Sequence, residues 1–170
     1  MAGANSNSGG GQTLHATAIA VDGRAALLFG PSGAGKSDLA LRCLMVQAWD
    51  GDRSIRAALV ADDCVQIEAK SGRVICRSPA TIAGLIEVRG IGIVAVPAIM
   101  EAEVVLAVHL TTGPVERMPD PADRYEILDL AIPSLRLNPF EGSAALKVLL
   151  ALTRARTLNP ANVLVVAELP

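Results

Sequence analysis

Aromatic side chains are scarce in this chain: they make up 2% of its 170 residues and are confined to Phe29, Trp49, Tyr125 and Phe140. The core must therefore be built from Ala, Val, Leu and Ile, and the scarcity argues against a base-stacking platform for single-stranded nucleic acid. An excess of either charge is also lacking. Fifteen basic against 17 acidic residues leave a net charge of −2, so no global field attracts nucleic acid or an anionic membrane. Cysteines are few. Cys43, Cys64 and Cys76 are too widely spaced for a C-x-x-C pair, and an odd, sparse set fits free thiols in a reducing compartment. No uncharged apolar run reaches the ~18 residues of a membrane-crossing helix. The opening MAGANSNSGGG has neither the basic nor the apolar part of a secretory leader. The expectation from these absences is a cytoplasmic protein with no membrane or nucleic-acid partner.

What is present reads as one domain. Hydrophobic residues reach 51% and charged ones 19%, which rules out wholesale disorder. Residues 1–11 read as a flexible Gly/Ser/Asn tail, 12–157 as the folded domain, and 158–170 as a tail or edge element. Residues 13–21 and 24–29 read as strands around an Asp22-Gly23 hairpin turn. A helix is expected over 37–48, with Leu41, Leu44, Met45 and Ala48 on its apolar face and Asp38–Arg42 on its polar side. The segment WDGDRS reads as a loop, and 56–61 as a buried strand ending at Asp62-Asp63. Short strands follow at 64–69 and 73–77 about a Ser71-Gly72 turn, then a short helix near 79–84 opened by Pro79. Residues 85–96 hold two strands about a glycine-marked turn, and 103–110 a further strand. After a proline-marked loop at 111–124, two strands are expected at 126–137 and a helix from Ser143, its cap, to Arg156. Many strands with few helices imply an α/β domain with a mixed sheet.

The most specific motif is Gly30-Pro31-Ser32-Gly33-Ala34-Gly35-Lys36-Ser37, which satisfies G-x-x-x-x-G-K-[ST] between an apolar strand and a helix. Glycines let successive backbone N–H groups turn toward phosphate oxygens, and the helix N-terminus adds donors and a favourable dipole. Lys36 would place a cation on the β- and γ-phosphates, and Ser37 a hydroxyl on Mg²⁺. A nucleoside triphosphate with Mg²⁺ is the ligand this implies. No N-K-x-D run marks a GTPase and no transporter signature is present, which leaves a kinase or an ATP-hydrolysing switch. Asp62 and Asp63 stand where a metal-holding acid is expected; one carboxylate can serve Mg²⁺ while the other accepts the proton of an attacking hydroxyl. In Ile86-Glu87-Val88-Arg89-Gly90-Ile91-Gly92-Ile93, Glu87 and Arg89 fall on one side of a strand, two residues apart.

His15, GPSGAGKS, LVADD and IEVRGIGI, in that order, resemble the catalytic domain of the bacterial HPr kinase/phosphorylase family, which phosphorylates a serine of the phosphocarrier HPr. The likeness covers roughly residues 13–150, so the chain looks like a short form of the family, expected to carry the kinase domain without the usual N-terminal domain. It implies a P-loop-containing α/β fold similar to phosphoenolpyruvate carboxykinase. It also implies ATP and Mg²⁺ as cofactors, HPr as acceptor, and a homo-oligomer, hexameric in the family. By the same resemblance Asp63 is the catalytic base, assisted by His15. Lys36, Arg89 and Arg117 serve the transferring phosphoryl group, and Ser37, Glu87 and Asp62 serve the metal. Two departures stand out. Trp49–Arg56 lengthens a connection and is expected to reshape the surface beside the site. Where the family carries an arginine-rich loop tied to phosphorylase action, this chain has Phe140 and Ser143, so the kinase direction is expected to dominate. Outside this reading stand a non-catalytic nucleotide sensor and a small-molecule kinase using the same site.

Overall fold

A computed structural model describes residues 11–118 and 120–155. Within them, thirteen strands, two α-helices and one 3₁₀ turn follow one another along the chain. The expected tail up to residue 10 and the segment 158–170 lie outside the described residues.

Tight turns made of two left-handed residues set up the sheet. β2 (Thr17–Val21) returns as β3 (Arg24–Phe29) through Asp22 and Gly23, at φ 51° and 74°. β7 (Val65–Lys70) returns as β8 (Arg73–Arg77) through Ser71 and Gly72, at φ 51° and 73°. Two positive φ values in a two-residue loop match the twist of the flanking strands. A third such turn joins β12 (Arg124–Ile127) to β13 (Leu130–Leu137) through Leu128 and Asp129, at φ 50° and 62°. It carries no glycine, which is why the sequence does not announce it.

A nine-stranded mixed sheet results. Its main path runs β1 (Gln12–Leu14), β7, β8, β11 (Glu101–Leu110), β3, β2 and β6 (Ala58–Ala61), with β12 and β13 branching from β11. β11 is long enough to serve three neighbours. Glu101–Glu103 pair with β8, Ala107–Leu110 pair with β13, and β3 lies along its other side. β2 is antiparallel to both β3 and β6, whereas β11 is parallel to both β3 and β13. Hence β6, β3, β11 and β13 all run the same way. Their carboxyl ends deliver Asp62, Gly30, Thr111 and Asn138 to one edge of the sheet, the edge where open α/β sheets bind ligands.

Apolar side chains bury both faces. One face packs Ile19, Leu28, Leu106 and Val108 against α1 (Lys36–Met45) and α2 (Ala144–Arg154). The other gathers Ala18, Leu27, Val60, Ile67, Val74, Ala107 and Ile132, with no helical residue among the described ones. Cys43 and Cys76 are fully buried, and burial pushes both thiols up to about 12.

Five local expectations are corrected. The run 13–21 is two strands: β1 pairs with β7 while β2 pairs with β3 and β6, and the break falls at His15-Ala16 with no Gly or Pro to mark it. α1 buries Leu39, Ala40 and Cys43, whereas Met45 is exposed and Ala48 lies beyond the helix. Leu41 and Leu44 of the expected face do pack against the core, half-buried at its margin, while the small side chains of Ala40 and Cys43 let the helix sit close to the sheet at its centre. The expected WDGDRS loop is a hairpin, β4 (Ala48–Asp50) with β5 (Arg53–Ile55), whose strands are too short to display alternation. Ala48 and Ile55 anchor it in the core, and Arg53 pairs with Asp22 at the β2–β3 turn. Its tip therefore stands at the edge opposite the carboxyl ends, not beside the site. The short helix near 79–84 is a single 3₁₀ turn, Ala80–Ile82, that follows Pro79. Ser143 precedes α2 but makes no side-chain cap; its carbonyl accepts from the Lys147 N–H at 2.9 Å.

Candidate active site

The loop between β3 and α1 carries glycines where the backbone needs them, Gly33 at φ 80° and Gly35 at φ 90°. L-residues avoid that region. α1 then begins at Lys36, whose side chain is folded back and buried, 5% exposed. Its three ammonium protons have three acceptors: the Gly30 carbonyl at 2.9 Å, the Pro31 carbonyl at 3.2 Å and His15 Nε2 at 3.2 Å.

His15 sits at the break between β1 and β2, which aims its ring into the carboxyl edge. Nε2 faces an ammonium and must accept; Nδ1 faces Asp63 Oδ1 at 3.2 Å and must donate. The imidazole thus bridges the loop lysine and the second aspartate, 21 and 48 positions away along the chain.

The adjacent aspartates have opposite surroundings. Asp62 is buried, 7% exposed, and its oxygens are taken by three donors. Oδ1 accepts from Thr17 Oγ1 at 2.9 Å and Ser37 Oγ at 2.8 Å, and Oδ2 from the Glu87 N–H at 3.1 Å. Asp63 is held at φ 61° in a three-residue turn closed by Cys64 N–H to the Asp62 carbonyl at 2.7 Å. A positive φ in so tight a turn is strained, and it swings the Asp63 side chain outward, 66% exposed, with His15 as its partner.

Glu87 lies on β9 (Leu85–Val88), paired with β10 (Gly92–Ala95). Arg89 is not on the strand with it, in contrast to the expectation from strand alternation. It occupies the turn Val88–Ile91, closed by the Ile91 N–H to the Val88 carbonyl at 2.9 Å with Gly90 at φ 83°. Both side chains nevertheless border one cleft of about 380 Å³, with Lys36, Ser37, Asp63 and Phe140. Arg117 stands in the exposed segment after β11 and does not line this cleft.

Sequence reasoning missed Thr17. It is completely buried and is the only hydroxyl in the strand TAIAV. A lone polar side chain in an apolar strand needs a buried partner, and that requirement was the available signal. For a divalent cation, Ser37 Oγ beside Asp62, with Glu87 lining the same cleft, offers oxygen donors of the hard kind that Mg²⁺ takes. Asp62, already engaged by three donors, suits a role of orienting Ser37 or a bound water.

Fold and site together define a sheet-dominated α/β protein with a glycine-rich loop, a buried lysine and an unequal aspartate pair at one carboxyl edge. The profile of the HPr Serine kinase C-terminal domain matches residues 10–161. The chain belongs to that family. Among relatives, the HPr kinase/phosphorylase of Clostridium tetani is 41% identical over 86 residues, 51% of this chain and 25% of that protein. The HPr kinase/phosphorylase of Clostridium beijerinckii is 37% identical over 103 residues, covering 56% and 31%. The chain thus spans between a quarter and a third of the length of these relatives. The HPr(Ser) kinase/phosphatase structure from Coxiella burnetii superposes with a TM-score of 0.65 at 24% identity, covering 82% of this chain and 92% of that one. That likeness supports the fold.

Proposed function

We propose that the protein is an ATP- and Mg²⁺-dependent protein serine kinase whose acceptor is HPr. The observation that carries this reading is the His15 bridge between Lys36 and Asp63, set beside the engaged Asp62. A nucleotide switch needs a lysine and a metal acid. It has no use for a second, exposed carboxylate with free lone pairs, tied by an imidazole to the phosphate-binding lysine.

The residues divide the work as follows. The Gly30–Ser37 backbone and Lys36 hold the phosphates, and Lys36 exchanges its carbonyl acceptors for phosphate oxygens when nucleotide enters. Ser37 and Glu87 would hold Mg²⁺, with Asp62 orienting Ser37 or a water bound to the ion; when bound, the ion neutralises phosphate charge. Asp63 accepts the proton of the attacking serine hydroxyl, and His15 orients that carboxylate. Arg89, on its turn at the cleft rim, is placed to meet anionic charge on nucleotide or acceptor; Arg117 joins only if its loop closes over the cleft. Catalysis is then positioning and charge neutralisation on a fold similar to phosphoenolpyruvate carboxykinase. The assembly is a homo-oligomer, a hexamer by family likeness, working in the cytoplasm.

Purified HPr incubated with the protein, ATP and Mg²⁺ tests this by intact mass. HPr should gain one phosphoryl group, located on serine, and gain none with Lys36→Ala. An unmodified HPr after exposure to folded, ATP-binding protein would sink the reading.

A further inference from the structure

The four like-directed strands also fix where the far end of a bound nucleotide falls, if the phosphate loop acts as proposed above. Lys36, His15 and Asp63 gather the reacting end on the β6 side of the loop. Thr111, after β11, and Asn138–Phe140, after β13, stand at the same edge on the other side. From β6 through β2, β3 and β11 to β13 is four strand spacings, roughly 19 Å at about 4.8 Å each. An extended nucleotide with its terminal phosphate at Asp63 therefore directs its nucleoside toward Phe140.

That end offers a hollow of about 380 Å³ walled by Pro31, Gly33, Leu110, Thr111, Pro139 and Phe140. Phe140 also borders the reacting cleft, so its ring stands between the two. The ring is 63% exposed, in a chain with four aromatic residues. It is nonetheless held in place. The Phe140 N–H donates to Asn138 Oδ1 at 3.0 Å, and the Pro139 carbonyl accepts from Arg42. Arg42 is itself fixed by Asp38 at 2.9 Å, one helical turn away. The ring lies against the phosphate loop: a Cβ on Gly35 would meet its Cε1 at 3.5 Å. An aromatic face kept out of the core, immobilised by its own backbone and resting on the phosphate loop, has the properties of a stacking surface.

We propose that Phe140 stacks on the base of the bound nucleotide and that the adjoining hollow is its nucleoside subsite. Side-chain polarity in the hollow comes from the hydroxyls of Ser32, Thr111 and Thr112, which donate and accept alike. Thr111 Oγ1 already accepts from the Gly113 N–H at 3.1 Å. Selectivity then follows stacking area: purine over pyrimidine nucleotides, with little difference between adenine and guanine.

The test is equilibrium binding of ATP, GTP, CTP and inorganic tripolyphosphate, each with Mg²⁺, to wild type, Phe140→Ala, Phe140→Trp and Lys36→Ala. Phe140→Ala should weaken ATP and GTP by roughly five- to 150-fold, the scale of one lost base–aromatic stack. It should leave tripolyphosphate unchanged, and Phe140→Trp should bind ATP as wild type does. Equal losses for ATP and tripolyphosphate, or none for either, would overturn the subsite while leaving the phosphate loop standing. Wild type that binds no triphosphate, or Lys36→Ala that binds all of them normally, would overturn the nucleotide reading and this proposal with it.

Discussion

Asp62 and Asp63 are the same residue type at consecutive positions, and nothing in their letters separates them. Their position after an apolar strand was legible. The division between a buried carboxylate with three donors and an exposed one with His15 was not, because it depends on the Asp63 backbone at φ 61° and on partners 25 to 48 positions away. Thr17 is the clearest case. Replacing it with Val keeps the shape and removes a buried donor from Asp62. We expect a loss of about 1.5–3 kcal/mol in urea unfolding, the scale of one hydrogen bond to a charged group, since Ser37 still donates to the same oxygen, with Thr17→Ser much closer to wild type. A Val variant as stable as wild type would show that the hydroxyl is dispensable. His109 gives a pH signature. It packs against both Phe29 and Tyr125, which also touch each other, and burial, then the Arg136 charge, lowers its pKa. A base with a lowered folded-state pKa leaves the unfolded chain holding more protons. Its contribution is complete above the unfolded value of ~6.5 and is lost as pH falls through the lower folded value. The melting temperature of wild type should drop more between pH 7 and pH 5 than that of His109→Phe. Parallel curves would remove His109 as a cause.

Among the elements, turn chemistry carried further than apolar periodicity. Asp22-Gly23 and Ser71-Gly72 are legible as turns because glycine after a small polar residue marks a left-handed pair. The turn at Leu128-Asp129 and the break at His15 were hidden because tertiary pairing imposes them on residues with no such preference. α1 shows the converse: periodicity nearly locates its boundaries and finds the margin of its packed face at Leu41 and Leu44, but misses the centre, where Ala40 and Cys43 serve close approach and not bulk. The β9–β10 turn is the element most exposed to a backbone test. Gly90 has φ 83°, and nothing lies within 4 Å of the place a Cβ would take, so a substitution there meets strain alone. Gly90→Ala should cost about 1–2 kcal/mol of stability, and Gly90→Asn less, because Asn tolerates left-handed backbone. Chemical denaturation reads both. If Asn costs more than Ala, the turn geometry is wrong.

For the molecule as a whole, a mixed sheet was foreseeable from many strands and few helices, but its order was not. β1 and β2 are neighbours in the chain and lie far apart on the main path, and β11 shares one side between β8 and β13. Such long-range pairings leave no local mark in sequence. The resemblance quoted from His15, GPSGAGKS, LVADD and IEVRGIGI carried the family; the sheet brings the first three segments to one edge, and the separate β9–β10 hairpin joins them there through the Glu87 N–H to Asp62. The kinase bias of the proposed reaction also belongs to this scale. Beside the phosphate loop the segment after β13 presents Phe140, with Glu141 paired to Lys147, where cationic donors would be needed to seat an incoming phosphate near a phosphoserine. Serine-phosphorylated HPr given Mg²⁺ and phosphate without ATP should therefore lose its phosphoryl group far more slowly than the forward reaction adds it. Comparable rates in the two directions would show that those donors are not required.

The proposed chemistry turns on Asp63, not Asp62, taking the serine proton. The deciding measurement is the rate of phosphoryl transfer to HPr at saturating ATP and Mg²⁺ for Asp63→Asn and Asp62→Asn, with ATP affinity measured on the same preparations. Asp63→Asn should slow transfer by about 10²-fold or more, the scale of a lost general base, with ATP affinity retained. If Asp63→Asn turns over at the wild-type rate, or falls less than Asp62→Asn under those saturating conditions, Asp63 is not the base.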